Sequence, residues 1–148
     1  LEVAVVVINT ASAAISFVRE IEQEGTIFYE DVSKRYPQFE DNLLVMARDN
    51  RKYAAQVQAA YYSVISDAIE GCFAFNINPG EFGLKIGLTD ATTYTEALRK
   101  AIEMEEKMVK FYTETAEQSK SLLGDMSRVF SLIVRKRNEC IAILKSLQ

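Results

Sequence analysis

Four polar residues interrupt the apolar stripes of predicted helices: Glu22, Asn50, Glu105 and Arg137. Each has apolar neighbours three or four positions away on both sides, a spacing that keeps side chains on one helix face. Because a lone buried carboxylate is costly, we expect the four to converge and satisfy one another. Two such carboxylates can hold a metal ion or pair with the guanidinium. The alternative is four unrelated residues at stripe edges that point outward.

The residue types present exclude most common catalytic sites. The 148-residue chain has no histidine, so it has no imidazole base, no Ser-His or Cys-His pair and no imidazole metal ligand. Cys72 and Cys140 are far apart and form no Cys-x-x-Cys motif, which excludes zinc-ribbon and thioredoxin-type sites. The formal net charge of −4 argues against a nucleic-acid partner. Free thiols predict a cytoplasmic protein.

Apolar residues recur at spacings of three and four along four stretches, the pattern of amphipathic helices. We predict helices near 10–36, 40–70, 93–119 and 125–147. Asn9, Thr10 or Ser12 caps the first helix, and Thr93 with Glu96 forms the pattern of a capping box at the third.

Four helices with one apolar face each bury those faces best in an all-α four-helix bundle, here a single domain over 1–148. Short connections around Pro37 and Gly124 predict two antiparallel helical hairpins. The connection 71–90 reaches ~60 Å when extended, and a helix of about 28 residues is only ~42 Å long. We therefore expect a crossover along the bundle, with the start of the third helix beside the start of the first. Helices one and three would then both run antiparallel to helices two and four.

The two predicted hairpins resemble each other in sequence. Residues 21–29 align with 104–112 at an offset of 83, and 46–53 match 133–140 more weakly. In both copies a Glu stands seven residues before the Tyr of a Phe-Tyr pair, so Glu and Tyr share a helix face. The chain is predicted to be two copies of a helical hairpin.

These patterns resemble those of the rubrerythrins, a family of the ferritin-like superfamily. The similar segments are Glu-x-Glu-Gly-x-x-Phe-Tyr at 22–29, Ala-Ile-x-Met-Glu-x-x-x-x-x-Phe-Tyr at 101–112, and Ser-Asp-Ala-Ile at 66–69 before a long crossover. The resemblance extends over about 9–147. It implies a ferritin-like bundle, a dimer or larger assembly, and a di-iron oxidoreductase centre.

The resemblance also implies where the iron ligands would lie. In that family each of helices one and three supplies one Glu, and each of helices two and four supplies a Glu-x-x-His motif. The first carboxylates correspond to Glu22 and Glu105, and the motifs fall on 50–53 and 137–140. Asn50, Tyr53, Arg137 and Cys140 replace both glutamates and both histidines. The site is thus predicted to be a relic, with Arg137 paired to the two carboxylates where iron would bind.

Five tyrosines are typical of a radical path in an oxidase: Tyr29, Tyr53, Tyr61, Tyr62 and Tyr112. Without a metal we interpret them as core aromatics whose hydroxyls bond to the carboxylates. The resemblance places Tyr29 and Tyr112 directly around the cluster.

Cys140 allows two interpretations. Beside Arg137 it would be a redox thiol, because a nearby cation lowers a thiol's pKa. Alternatively it is a small apolar filler. Asp49 and Glu139 are each one position off their stripe, about 100° around the helix, and are expected to face solvent.

Three functional hypotheses follow from these residues. The first is a rubrerythrin-like bundle without a cofactor, which has a structural, binding or assembly role. The second is an oxidoreductase or metal-binding protein with an altered site at Glu22 and Glu105, holding iron by resemblance. The third is a small-ligand pocket in the bundle at the place of the lost metal. Whether the chain is an enzyme stays open at this point, since the family is enzymatic and the Glu-x-x-His motifs are absent.

The segment 3–8 is apolar but much shorter than the ~20 residues of a membrane span, so we expect no membrane partner. Its apolar surface predicts that it covers a groove or joins a second subunit. We expect at least a homodimer that uses this segment or the connection 71–90.

Overall fold

The computed structural model describes residues 7–64, 74–83, 87–121 and 123–148. Its four α-helices are α1 (Ala11–Arg35), α2 (Glu40–Val64), α3 (Tyr94–Ser119) and α4 (Gly124–Ser146). The predicted bounds of α1, α3 and α4 are confirmed to within one residue. The second helix is confirmed up to Val64, and the rest of its predicted span lies outside the described residues.

Local hydrogen bonds explain where the helices begin and end. The hydroxyl of Thr10 accepts from the backbone N–H of Ala13 at 3.1 Å and caps α1. At α3 the predicted capping box is present, because Thr93 and Glu96 each accept from the other's backbone N–H. A 3₁₀ turn, Pro37–Phe39, separates α1 from α2, and its proline lacks the N–H that a continuing helix would need.

The apolar faces of the four helices form one buried core. α1 packs against α2 and α3 against α4, and the short connections make each pair an antiparallel hairpin. α2 also packs against α4. Within the described residues the only β-type pairing is a single antiparallel bridge between Ile8 and Ile77. The predicted all-α four-helix bundle is therefore confirmed.

The described parts of the long connection contact both ends of the bundle. Ile77 exchanges backbone hydrogen bonds with Ile8, just before α1, at 2.8 and 3.0 Å. The carbonyl of Thr89 accepts from Arg35, the last residue of α1, at 2.6 Å. Residues 71–73, with Cys72 among them, and residues 84–86 of the connection lie outside the described residues.

The start of α3 lies beside the end of α1, so the predicted placement beside the start of α1 is wrong. The ring of Tyr94 stacks on Phe39 and packs edge-to-face on Tyr36, with centroids 4.7 and 5.3 Å apart. Near the opposite end, Phe17 of α1 packs against Phe111 of α3 at 5.1 Å. α1 and α3 are therefore antiparallel, and the prediction that both run antiparallel to α2 and α4 is wrong. α2 runs back towards the start of α1. A connection that then runs the length of the bundle therefore leads to the opposite end, beside the end of α1, and α3 begins there.

The N-terminal segment is described only from Val7 onward. Ile8 is buried and its bridge to Ile77 joins the chain before α1 to the connection. The prediction that the segment 3–8 covers a groove or joins a second subunit stays a prediction, because residues 3–6 lie outside the described residues. No helix in the described part of the chain is both long and apolar enough to cross a membrane.

A buried ion-pair cluster as candidate functional site

The four polar residues that interrupt the apolar stripes meet inside the bundle. Glu22 of α1, Asn50 of α2, Glu105 of α3 and Arg137 of α4 are each at most 2% exposed. The predicted shared polar cluster is confirmed, and the alternative of outward-pointing residues at stripe edges is wrong.

Arg137 is the centre of this cluster. Its Nη1 donates to both carboxylate oxygens of Glu105, at 3.1 and 2.9 Å, and to Oδ1 of Asn50 at 3.2 Å. Its Nη2 donates to Oε1 of Glu22. The guanidinium thus bonds to one side chain from each of the other three helices, and its predicted pairing with both glutamates is confirmed.

Two tyrosines bond to the carboxylates in a reciprocal arrangement. Tyr29 of α1 donates to Oε1 of Glu105 on α3, and Tyr112 of α3 donates to Oε1 of Glu22 on α1, both at 2.6 Å. The exchange follows the internal repeat, so the two hairpins are related by an approximate two-fold axis through the cluster. The predicted bonding of Tyr29 and Tyr112 to the carboxylates is confirmed.

The other tyrosines have different surroundings. The guanidinium carbon of Arg137 lies 5.0 Å from the ring centroid of Tyr53 and 5.5 Å from that of Tyr112, both within cation–π range. Tyr61 is buried, but Tyr62 is 59% exposed. The prediction that Tyr62 is a core aromatic is wrong. Tyr62 lies about 100° around the helix from the buried Tyr61 and so points away from the core.

Gly25 allows the cluster to assemble between α1 and α2. A Cβ at this position would lie 3.0 Å from Nδ2 of Asn50 and 3.1 Å from Cε of Met108. A larger residue would therefore displace the amide that accepts from Arg137. In the sequence Gly25 was only one position of a pattern, and nothing there indicated which side chain approaches it.

The two glutamates differ in how their oxygens are satisfied. Both oxygens of Glu105 accept hydrogen bonds, whereas Glu22 accepts both of its bonds on Oε1. Oε2 of Glu22 is buried and has no hydrogen-bond partner among the described residues. Burial raises the pKa of Glu22 above its ordinary value, and this effect exceeds the opposing effects of Arg137 and Tyr112. Glu22 therefore takes up a proton more readily than an exposed glutamate does.

The donors of the cluster keep their protons. Burial alone would lower the pKa of Arg137, but Glu105 and Glu22 raise it well above its usual range. Burial, with the neighbouring glutamates adding to it, raises the pKa of Tyr29 and of Tyr112 well above the ordinary value. One guanidinium charge thus faces two carboxyl groups, and both phenols remain donors.

Cys140 is not an activated thiol. It is partly buried, with its Sγ 3.9 Å from the hydroxyl of Tyr29. Burial, followed by the nearby charge of Glu105, raises the pKa of Cys140 to about 12. Arg137 lowers this pKa as expected, but its effect is smaller than those of burial and Glu105, so the interpretation as a redox thiol is wrong. At neutral pH the thiol is protonated and is a poor nucleophile.

A cavity of about 240 Å³ lies between α2 and α4, next to the cluster. Its polar lining includes five positions of the predicted site: Asn50, Tyr53, Glu105, Arg137 and Cys140. Apolar and charged residues complete the wall: Val45, Met46 and Ile143, with Asp49, Lys136 and Glu139. Glu139 is exposed and Asp49 partly exposed, so both have the solvent access that was expected. The sequence allowed a small-ligand pocket in the bundle but did not indicate that it lies between α2 and α4.

The cluster is arranged around a guanidinium. In the part of the chain that the structure describes, no group of three or more His, Cys, Asp and Glu side chains is placed to hold a metal ion. The guanidinium of Arg137 also lies against both carboxylates. A metal ion at the same place would meet a fixed positive charge.

Comparisons with known proteins give no match: no protein-family model, no curated protein and no solved structure matches this chain. The resemblance to rubrerythrins therefore stays a prediction from the residues. What the structure establishes is the four-helix bundle and the buried cluster shared by its helices.

Proposed function

We propose that this chain is a rubrerythrin-like protein of the ferritin-like superfamily in which an ion-pair cluster replaces the di-iron centre. It would act without catalysis, as a structural, binding or assembly protein of the cytoplasm. The observation that carries this proposal is the complete burial of Arg137 between Glu22 and Glu105.

The side chains of the cluster support the proposal that an ion pair replaces the iron, and they do not support a modified iron site. A di-iron centre needs several carboxylates to offset the metal charge and nitrogen ligands to set its geometry. The cluster holds two carboxylates, an amide, phenols, a thiol and a guanidinium, which do not fit that centre. A guanidinium provides a permanent charge and several N–H donors, so it satisfies two buried carboxylates without a metal.

The path of the chain supports the ferritin-like part of the proposal. Two antiparallel hairpins with related sequences meet around the cluster, and the reciprocal Tyr–Glu hydrogen bonds join α1 to α3 across their interface. The described parts of the connection contact opposite ends of the bundle, as a lengthwise crossover between the hairpins requires.

Metal analysis tests the proposal. Protein purified without chelator should contain no stoichiometric iron, manganese or zinc. The fourfold variant Asn50→Glu, Tyr53→His, Arg137→Glu and Cys140→His, which recreates the Glu-x-x-His motifs, should bind iron stoichiometrically. The matched control carries only Asn50→Glu and Tyr53→His and retains Arg137. It should not bind iron if the guanidinium is what excludes the metal.

Stoichiometric metal in the unaltered protein would overturn the proposal. It would favour the second candidate, a metal-binding protein or oxidoreductase with an altered site at Glu22 and Glu105. One observation favours that candidate: Oε2 of Glu22 is buried without a hydrogen-bond partner among the described residues. That oxygen is a free ligand atom, although Arg137 lies next to its carboxylate.

A further inference from the structure

We propose that the cavity between α2 and α4 binds a small zwitterion with an aliphatic side chain, of the size of a free aliphatic amino acid. The inference rests on the proposed binding role and deepens it by naming the class of ligand. It depends on the size of the cavity, its apolar wall, its mixed charges and two unsatisfied donors on the residues that line it.

The size of the cavity limits the ligand to a small metabolite. Its volume is about 240 Å³, and a water molecule takes ~30 Å³ of liquid. The space therefore suits about eight to ten non-hydrogen atoms. Pockets for drug-sized ligands start at roughly 300 Å³, so this cavity is smaller than a typical pocket of that kind.

The wall of the cavity has an apolar part that water contacts in the free protein. Val45 of α2 and Ile143 of α4 are 44% and 46% exposed, although both are large and apolar. Met46 lines the cavity beside them and is buried. An aliphatic side chain placed between these residues would remove their apolar surface from water, which is favourable.

Charges of both signs line the same cavity. Asp49 has no ion-pair partner among the described residues, and Glu105 lies deeper, beside Arg137. Lys136 is 3.8 Å from Glu139, and both side chains are about half or more exposed, so their pairing is weak. A ligand ammonium fits beside the acids, and a ligand carboxylate fits beside Lys136.

Two buried donors on residues of the wall have no acceptor. Nε of Arg137 and Nδ2 of Asn50 make no hydrogen bond to any described residue, although these residues are 1% and 2% exposed. A buried N–H without an acceptor is unfavourable, and a ligand carboxylate supplies one. A ligand that has only an amine brings no carboxylate to accept a hydrogen bond from Arg137. A ligand that has only a carboxylate is repelled by Asp49 and Glu105. A zwitterion provides the carboxylate acceptor and also an ammonium group that offsets this repulsion.

The ligand class is tested by NMR titration of isotope-labelled protein, with the backbone amide signals of Val45 and Ile143 as the readout. The ligands are L-leucine and two analogues, here called its halves, that each lack one of its charged groups. The halves are 3-methylbutylamine, which lacks the carboxylate, and 4-methylpentanoate, which lacks the amine. We expect saturable shifts with leucine and at least about tenfold weaker binding of either half. The salt concentration is kept equal, since charge contacts are screened.

Charge-removing variants at the cavity rim test the placement of the two ligand groups. Asp49→Asn should weaken binding of leucine and of the amine about fivefold but strengthen binding of 4-methylpentanoate, because the repulsion by Asp49 is removed. Lys136→Gln should weaken leucine and the acid but not the amine. The matched controls Asp31→Asn and Lys110→Gln alter exposed residues that do not line the cavity, and should bind like the unaltered protein.

Two results would overturn the inference. Absence of saturable shifts with leucine would show that the cavity is not such a site, and equal binding of one half would show selection for a single charge. Neither result bears on the metal content of the protein. Failure of this inference is therefore distinguishable from failure of the proposed function.

Discussion

Removing the guanidinium of Arg137 should strongly destabilise the bundle. Arg137 makes four hydrogen bonds, to Glu22, Asn50 and Glu105, and is 1% exposed. Arg137→Ala leaves the two buried carboxyl groups without a counter-ion. Loss of one partner of a buried ion pair costs about 3–5 kcal/mol, so we expect the free energy of unfolding to fall by that amount.

The loss should depend on pH, which separates charge from packing. The cavity left by the missing side chain costs the same at any pH. Burial already raises the pKa of Glu22 in the folded state, and loss of Arg137, which lowers that pKa, raises it further. A raised folded pKa gives stability at low pH that is lost as the pH rises. The defect should therefore be largest near pH ~8 and smaller near pH ~5.

Urea unfolding followed by circular dichroism at both pH values measures these differences. Arg135→Ala is the matched control, since Arg135 is an exposed arginine on the same helix, and it should change stability by less than about 0.5 kcal/mol. Adding Glu22→Gln and Glu105→Gln to Arg137→Met should recover most of the loss, because uncharged replacements of a buried ion pair are often neutral.

The reasoning is refuted if Arg137→Ala costs less than about 1 kcal/mol. It is refuted equally if the loss is the same at both pH values and the glutamine exchanges do not reduce it. Either result would mean that the carboxyl groups do not depend on Arg137 for their charge balance.

Three further predictions concern the hydrogen bonds, the protonation and the assembly of the protein. Tyr29→Phe and Tyr112→Phe should each lower the free energy of unfolding by about 1.5–3 kcal/mol, because each removes a hydrogen bond to a carboxylate; an exposed Tyr62→Phe, which serves as control, should not. Burial raises the pKa of Glu22 in the folded state, so the folded protein binds this proton more tightly than the unfolded chain does. The resulting stabilisation is complete below pH ~4 and is lost as the pH rises through the folded pKa. Glu22→Gln should thus become more stable relative to the unaltered protein between pH ~5 and ~8, and a constant difference would contradict this. Light scattering at tens of micromolar protein should show at least a homodimer, whereas a clean monomer would contradict the expected assembly.

The sequence by itself determined the helices and the membership of the cluster. A polar residue at the centre of an apolar stripe has only the interior to point into, so Glu22, Asn50, Glu105 and Arg137 were predictable from helical periodicity alone. The capping box at Thr93 and the buried Tyr29 were predictable for the same reason, since both depend on residues within a few turns of one helix.

Only the tertiary structure decided which residues of different helices meet. The sequence places Glu22 and Tyr29 on one face of α1, but it does not give the direction of α3. Because α3 runs antiparallel to α1, Tyr29 lies opposite Glu105 and Tyr112 opposite Glu22, so each tyrosine bonds to the glutamate of the other helix.

The protonation state of Cys140 and the cavity between α2 and α4 were also decided by tertiary structure. The sequence shows Arg137 three positions before Cys140 and so allowed either a redox thiol or an apolar filler, but the folded protein surrounds that cation with two carboxyl groups. Burial and Glu105 then raise the thiol's pKa. The cavity arises because α2 and α4 contact each other less extensively than the helices within each hairpin do. Helical periodicity carries no information about the spacing between helices, and that spacing decides both features.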